Sequence, residues 1–324
     1  MFLKGFFLIL LISMSAVRVA GGDLLGGSPG AVTRMTVSPI AESMGAATAA
    51  LMRPGMVPSL WNPGAAALVK TRSLTTGYRL MSMDRRSAYI SFLTPLPPRA
   101  GVSLGYIYHG DGNITLRDLD ENVYEQNASF ASHNINADFS LRISRRTSAG
   151  VNASVFYTKL LDVELYTVGA FDAGIFHAVN ERITAGAVLK NINLTYEWNI
   201  EVGEGWKEKT VDKVPQEIRA GVCMSKIEMP FGELTAVSDL SAFFVNSIKE
   251  KIPELRLKAG AEWLHPSRQF AFRIGRAGAS EYSIGAGFLG LLEDYGFNSI
   301  DYSITTDPIG AGLTHSFSFT YKWD

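Results

Sequence analysis

Apolar and polar residues alternate with a period of two along most of the chain, from about Arg72 to the C-terminus. In the clearest segment one face would carry Ile135, Ala137, Phe139, Leu141 and Ile143, and the other Asn134, Asn136, Asp138, Ser140 and Arg142. Repetition of this pattern predicts about 14 strands, starting near residues 72, 87, 101, 133, 148, 168, 182, 215, 232, 255, 268, 281, 296 and 313. The number is even, as single-chain bacterial barrels require.

The lengths of the predicted connections give a second indication. Those after the fourth, sixth and tenth strands are tight, whereas those after the third, fifth, seventh and ninth are long, the longest running from about Ile192 to Val214. Outer-membrane barrels alternate short periplasmic turns with longer external loops, but a soluble sandwich or propeller has no reason to do so. We therefore predict an all-β fold, an antiparallel transmembrane β-barrel over residues 72–324 in a bacterial outer membrane.

The first 21 residues are predicted to be a signal peptide. Lys4 precedes an apolar run from Gly5 to Met14, and small residues follow around Ala20. A membrane helix needs about 20 apolar residues, and Arg18 interrupts this run. The single cysteine, Cys223, provides neither a disulfide framework nor a lipid-attached N-terminus.

Residues 22–71 differ in composition, being rich in Gly, Ala, Pro and Met. Ile40, Met44, Ala47 and Leu51 fall at helical spacing, which predicts one short helix. A barrel of about 14 strands lies between small barrels that side chains fill and 16-stranded porins that hold water. Its lumen needs filling, and we predict that this segment is the plug.

The predicted lumen face carries charges of both signs: Asp138, Arg142, Glu217, Arg219, Arg256, Lys258, Glu262, Arg273 and Asp301. Unpaired charges in a partly dry interior are costly. We therefore interpret these residues as ion-paired supports for the plug.

Two motifs in the N-terminal segment, RMTVSPIAESMGAATAA (Arg34 to Ala50) and LWNPGAAAL (Leu60 to Leu68), resemble the PorV/PorQ family of outer-membrane proteins, relatives of the FadL long-chain fatty-acid transporters. In that family a "GMGxAxxA" helix and a "WNPAG" element belong to the plug. The residues that carry the resemblance are Met44, Gly45, Ala46, Trp61, Asn62 and Pro63. Gly64 and Ala65 stand in swapped order, which departs from the family pattern.

The resemblance implies two functions. The leading hypothesis is a non-enzymatic role in type IX-like protein secretion and surface attachment, with secreted proteins as partners. The alternative is a FadL-like plugged barrel for uptake of hydrophobic small molecules. Apolar loop residues such as Leu160, Leu161 and Tyr166, or the patch from Phe243 to Ile248, suit either a ligand or a protein contact. In both cases outer-membrane lipid and lipopolysaccharide surround the barrel.

Other classes of function are disfavoured. With 30 Lys plus Arg against 31 Asp plus Glu, the net charge of −1 offers no basic field for nucleic acid. The nucleophile-elbow match Gly101–Gly105 lies mid-strand, and no helix follows the dinucleotide-type match Gly285–Gly290. The five histidines form no chelating pair, and Val123 replaces the glycine of a calcium loop in the stretch from Asp118 to Glu125. We predict no enzyme activity, cofactor or metal site.

Overall fold

The computed structural model describes residues 25, 27–53, 55–117, 120–161, 163–201, 207–245, 253–278, 280–290, 297–307 and 312–323. The predicted signal peptide at 1–21 lies outside the described residues, as do the first residues of the predicted plug. Asp118 of the acidic stretch and Ile248 of the apolar loop patch also lie outside them.

Short helices precede the strands in the described part of the chain. They are α1 (Ala31–Arg34), α2 (Pro39–Ser43), α3 (Pro58–Trp61) and a 3₁₀ helix (Pro63–Leu68). The strands are β1 (Arg72–Leu80), β2 (Arg86–Leu96), β3 (Ala100–Arg117), β4 (Val123–Arg142), β5 (Thr147–Leu160), β6 (Val163–Ala178), β7 (Ile183–Ile192), β8 (Thr195–Glu201), β9 (Lys207–Lys213), β10 (Gln216–Met229), β11 (Gly232–Phe244), β12 (Glu254–Leu264), β13 (Phe270–Ala277), β14 (Glu281–Leu289), β15 (Phe297–Thr306) and β16 (Leu313–Trp323). Among the described residues, no helix is long and apolar enough to cross a membrane.

All strands except β8 and β9 form one closed antiparallel barrel, and β1 pairs with β16 to close it. Strands pair with their neighbours in chain order, except that β7 pairs directly with β10. Between them, β8 and β9 form a separate two-stranded hairpin. The predicted fold class, an all-β antiparallel barrel of 14 strands, is confirmed.

The structure corrects the predicted ends of several strands. The strand expected near residue 133 begins at Val123, and the one expected near 168 begins at Val163. Because β5 ends at Leu160, the prediction of a long connection after the fifth strand is wrong. The hairpin of β8 and β9 occupies what was predicted as the longest loop. Period-two alternation extends only over the part of each strand that faces lipid, whereas the hydrogen-bonded strands continue beyond that part.

The barrel has two different ends, which we call the turn end and the loop end. At the turn end, short connections join β2 to β3, β4 to β5, β6 to β7 and β10 to β11, the last between Met229 and Gly232. The loop end carries the remaining extensions, including the hairpin of β8 and β9. Because outer-membrane barrels have short periplasmic turns and longer external loops, the turn end is expected in the periplasm.

The two faces of the wall differ as the pattern predicts. On β4, Ile135 and Phe139 are exposed on the outer face, whereas Asn136 and Asp138 are buried on the inner face. On β10, Ile218 is exposed while its neighbours Glu217 and Arg219 are buried. An apolar outer face suits hydrocarbon, and burial of the polar inner face means that other protein groups cover it.

Aromatic rings border the apolar outer face. Near the loop end, Tyr108, His133, Tyr157 and Tyr166 form a row across β3 to β6, with successive ring centroids 5.3, 5.7 and 4.8 Å apart. Near the turn end, Trp263 stacks on Phe272 and Tyr321 contacts Trp323. Such girdles mark the two interfaces of a transmembrane barrel.

The dismissed chemical motifs lie within strands. Gly101–Gly105 belongs to β3, where Ser103 Oγ donates to Asp138 (3.3 Å), and the Gly285 match begins in β14. Within the described part of the chain, no three His, Cys, Asp or Glu side chains are placed to hold a metal ion.

We predict that one added carboxylate has opposite consequences at two adjacent positions of β5. Ala153 is exposed on the outer face at mid-wall, while Ser154 faces an internal cavity. Ala153→Asp should reduce assembly, at a cost below the roughly 2–4 kcal/mol of a midplane Lys or Arg. Ser154→Asp should assemble to a larger fraction, because the cavity beside it can hold water around the carboxylate. Heat-dependent migration on detergent gels measures the assembled fraction, and equal tolerance would mean that the register is wrong.

Candidate functional site: the lumen and the N-terminal segment

The described part of the N-terminal segment, up to residue 68, lies inside the barrel. Its apolar side chains, including Ile40, Met44 and Trp61, form one buried cluster. The wall adds Tyr89, Ile107, Cys223 and Val237 to this cluster. The segment therefore supplies most of the apolar core of the lumen.

The helix expected from the spacing of Ile40, Met44, Ala47 and Leu51 is shorter in the structure, because α2 ends at Ser43. Gly45 and Ala46 then adopt left-handed φ values of 63° and 55°, which end the helix. The prediction that residues 47–51 are helical is wrong: the chain turns there to run along the wall.

The motif Met44, Gly45 and Ala46 packs directly on the wall. A Cβ added to Gly260 of β12 would overlap the backbone of Met44, and one added to Gly275 of β13 would overlap that of Gly45. Glycine in the wall is thus required for this close approach.

The extended stretch after the turn is held by a carboxylate of the wall. The backbone N–H groups of Thr48 and Ala49 donate to Asp239 Oδ2 of β11, at 2.7 and 2.8 Å. Arg219 Nη1 donates to Thr48 Oγ1 (2.9 Å). Buried backbone donors outside regular structure need such partners.

The second motif, Trp61, Asn62 and Pro63, joins three parts of the lumen. Asn62 Nδ2 donates to Ala49 O (2.6 Å) and to Ile175 O of β6 (3.0 Å), and its Oδ1 accepts from Gly64 N (3.0 Å). Pro63 begins the 3₁₀ helix, which includes the swapped Gly64 and Ala65. Trp61 belongs to the buried cluster.

A row of small residues receives this 3₁₀ helix. Gly101, Ser140, Gly150 and Gly174 lie opposite one another across β3, β4, β5 and β6. A Cβ on Gly101 would overlap the backbone of Ala66, and one on Gly150 would lie 2.5 Å from Pro63 O. The segment and the wall therefore touch backbone to backbone on this side.

On the opposite side, ion pairs join the segment to the wall. Arg53 Nε lies 2.8 Å from Glu262 Oε1, and Arg79 Nε of β1 lies 3.0 Å from Glu42 Oε1. Arg273 lies between two carboxylates, 2.7 Å from Glu262 Oε2 and 2.7 Å from Asp301 Oδ1. A buried arginine with several carboxylate bonds is held firmly, because each bond satisfies part of its guanidinium.

The other lumen charges predicted as supports have varied partners. Arg219 and Lys258 both contact Glu217, at 2.8 and 3.4 Å. Arg142 Nη2 donates to Ala67 O of the segment (3.0 Å). Arg256 is half-buried and lies 2.7 Å from Glu254, which also accepts from Leu25 N. Asp138 accepts from the Ser103 hydroxyl, a neutral donor.

Three important groups were not predicted from the sequence: Asp239, and the segment's own Glu42 and Arg53. Glu42 and Arg53 stand out as charges in an otherwise apolar stretch, a signal that could have identified them as partners of the wall.

A cavity lies between the segment and the inner faces of β3 to β7. Its free volume is about 70 Å³. Apolar Ile107, Phe156 and Trp61 line it together with polar Ser59, Asn134, Asn152, Asp172 and Lys190. Benzene occupies an engineered cavity of about 150 Å³, so an aromatic ring fits here only when the segment moves.

The hairpin of β8 and β9 folds against the inner face of the wall near the loop end. Leu194, Tyr196 and Val214 pack with Phe156, Leu165 and Ala170 in a second buried apolar cluster. Thr167 Oγ1 donates to Thr195 O (2.8 Å), and a Cβ added to Gly30 of the segment would overlap the Val214 side chain. Burial raises the pKa of Tyr196 to about 12, because the phenolate would lose its hydration.

Comparisons with known proteins give the fold and no more. The CymD monoaromatic hydrocarbon channel is 12% identical with a TM-score of 0.59, covering 89% of this chain and 98% of its own. The Ralstonia pickettii toluene transporter TbuX is 13% identical with a TM-score of 0.60 and the same coverage. A Pseudomonas aeruginosa FadL homologue is 11% identical with a TM-score of 0.56, covering 90% of this chain and 98% of its own.

No family model and no curated protein matches the chain. The structural similarity therefore establishes a FadL-like barrel fold, while the PorV/PorQ branch rests on the resemblance of the two motifs.

The row of small residues predicts that substituting two glycines of β3 by alanine has very different effects on the plug. Gly101→Ala should push the 3₁₀ helix off the wall at a cost of about 1–3 kcal/mol, giving transient ion conductance in planar bilayers. Gly112→Ala is the matched control, since a Cβ there has open space. Identical quiet traces from both variants would contradict a packed plug.

The buried ion pairs predict a large loss of stability when one cation is removed. Arg273→Met leaves Glu262 and Asp301 without their shared partner, which should cost about 3–5 kcal/mol in urea unfolding from lipid vesicles. Arg182→Gln removes an exposed pair with Glu228 and should cost at most about 1 kcal/mol. Similar losses for both would show that the lumen is well hydrated.

Proposed function

We propose that this chain is an outer-membrane barrel that takes up small hydrophobic molecules through its filled lumen. The observation that carries the proposal is a lumen packed with the N-terminal segment and containing a cavity of about 70 Å³ between that segment and β3 to β7. A general porin needs a standing water channel. A filled lumen suits instead a hydrophobic molecule that takes over the contacts between apolar side chains as it passes through the lumen.

The apolar cluster under the hairpin offers the route from the loop end. Phe156 belongs both to this cluster and to the lining of the cavity, so the two are continuous. A hydrophobic molecule would exchange with the contacts between the hairpin and β5–β6, then enter the cavity as residues 32–37 move. Hydrocarbon channels and toluene transporters of the same fold support this class of substrate.

The secretion role implied by the resemblance is the second candidate. It rests on the motifs around Met44 and Asn62, which serve here in packing the segment. The three structures named above are a hydrocarbon channel, a toluene transporter and a FadL homologue, and we therefore favour uptake.

We predict that a charge in the apolar cluster blocks uptake. Ala170→Arg places a cation between the hairpin and the wall and should lower the uptake of radiolabelled toluene by cells producing the protein several-fold, because a buried unpaired charge is costly. Val211→Arg adds the same charge on the exposed side of the hairpin and should leave uptake unchanged. If cells producing the unmodified protein take up no more toluene than cells lacking it, the proposed function is wrong. If cells lacking the protein also fail to export secreted proteins, the secretion role is favoured.

A further inference from the structure

The charged groups around the cavity already have partners. Lys190 Nζ donates to Leu60 O (2.9 Å), and Arg219 and Lys258 contact Glu217. Asp172 accepts from Asn191 N (2.8 Å) and from Asn152 Nδ2 (3.1 Å). The cavity therefore has no need of a charged ligand.

Three neutral polar groups of the lining differ from these charged groups in lacking hydrogen-bond partners. Ser59 Oγ, Asn134 Oδ1 and Asn152 Oδ1 are buried and have no hydrogen-bond partner. The amide of Asn152 cannot be turned over to hide its oxygen, because its Nδ2 donates to the Asp172 carboxylate and to Ser154 Oγ. Ser59, Asn134 and Asn152 all line the cavity, so two amide oxygens and one hydroxyl without a hydrogen bond lie within its wall.

The two amide oxygens and the serine hydroxyl favour hydrophobic molecules that can form hydrogen bonds over those that cannot. A methyl group placed there would leave the amide oxygens unpaired, at a real cost in binding. A ligand hydroxyl can donate to an amide oxygen and accept from the Ser59 hydroxyl at once. A site that hydrogen-bonds a ligand hydroxyl discriminates strongly against the analogue that lacks the hydroxyl. An apolar pocket discriminates only weakly against a ligand that carries an added hydroxyl.

We propose that the preferred ligands are small amphipathic molecules with a neutral hydroxyl, such as phenols, held by Asn134, Asn152 and Ser59, with the ring against Ile107, Phe156 and Trp61. This inference rests on the proposed uptake function and narrows its substrate class. The apolar side of the cavity accepts the ring, and the amide side of β4 and β5 accepts the hydroxyl.

The test compares two ligands of nearly equal shape, 4-fluorophenol and 4-fluorotoluene. Their binding to the full chain in lipid nanodiscs is followed by fluorine NMR, with empty nanodiscs subtracted. The phenol should bind about tenfold more tightly, the factor expected for one satisfied buried acceptor. Equal affinities, or tighter binding of the toluene, would overturn the proposal.

Variants then assign the preference to residues. Asn134→Leu and Ser59→Ala should each weaken binding of the phenol and bring the two affinities within about threefold. Ser132→Ala is the control, because its buried hydroxyl on β4 bonds to Thr158 (2.9 Å) and does not line the cavity. If Asn134→Leu does not assemble, as judged by heat-dependent migration, Ser59→Ala still tests the claim.

A preference that survives in both assembled variants would overturn the assignment. Absence of saturable phenol binding would also overturn it, while toluene uptake and its response to Ala170→Arg decide the uptake function independently.

Discussion

The structure depends on one electrostatic requirement: charged groups that face the inside of a closed barrel must find partners there. The wall presents arginines and carboxylates to a lumen filled with protein. Asp239 is satisfied by two backbone N–H groups of the segment, and Glu42 and Arg53 of the segment meet Arg79 and Glu262 of the wall. The segment and the wall are therefore one polar network, and neither is complete without the other.

The two sides of the lumen hold the segment by different physics. Toward β11 to β15 and β1, charge pairs and carboxylate bonds fix its position and direction. Toward β3 to β6, the row from Gly101 to Gly174 lets backbone meet backbone, and the hydrogen bonds there, such as those from Arg142 to Ala67 O and from Asn62 to Ile175 O, join no pair of opposite charges. Separating such contacts leaves no carboxylate unpaired, whereas separating a buried ion pair does. The cavity lies on the less strongly bonded side.

The barrel could be predicted from sequence because lipid enforces strict alternation, which placed Phe139 outside and Asp138 inside. That signal ends where lipid ends, which explains why β4 was expected ten residues too late and why the hairpin of β8 and β9 was missed. The helix over residues 40–51 failed for another reason. Its spacing was helical, but packing on Gly260 and Gly275 required a turn at Gly45, a tertiary constraint invisible to local pattern. The role of Asp239 depends likewise on contacts distant in sequence.

Direct pairing of β7 with β10 makes the wall continuous without the residues between them. The hairpin is therefore an insertion whose length and sequence can vary with no effect on strand number, register or closure. The packing at the loop end of the lumen is in this way independent of the hydrogen bonds that close the wall. Changes in the hairpin could therefore alter what covers the lumen at this end while strand number, pairing and closure stay the same.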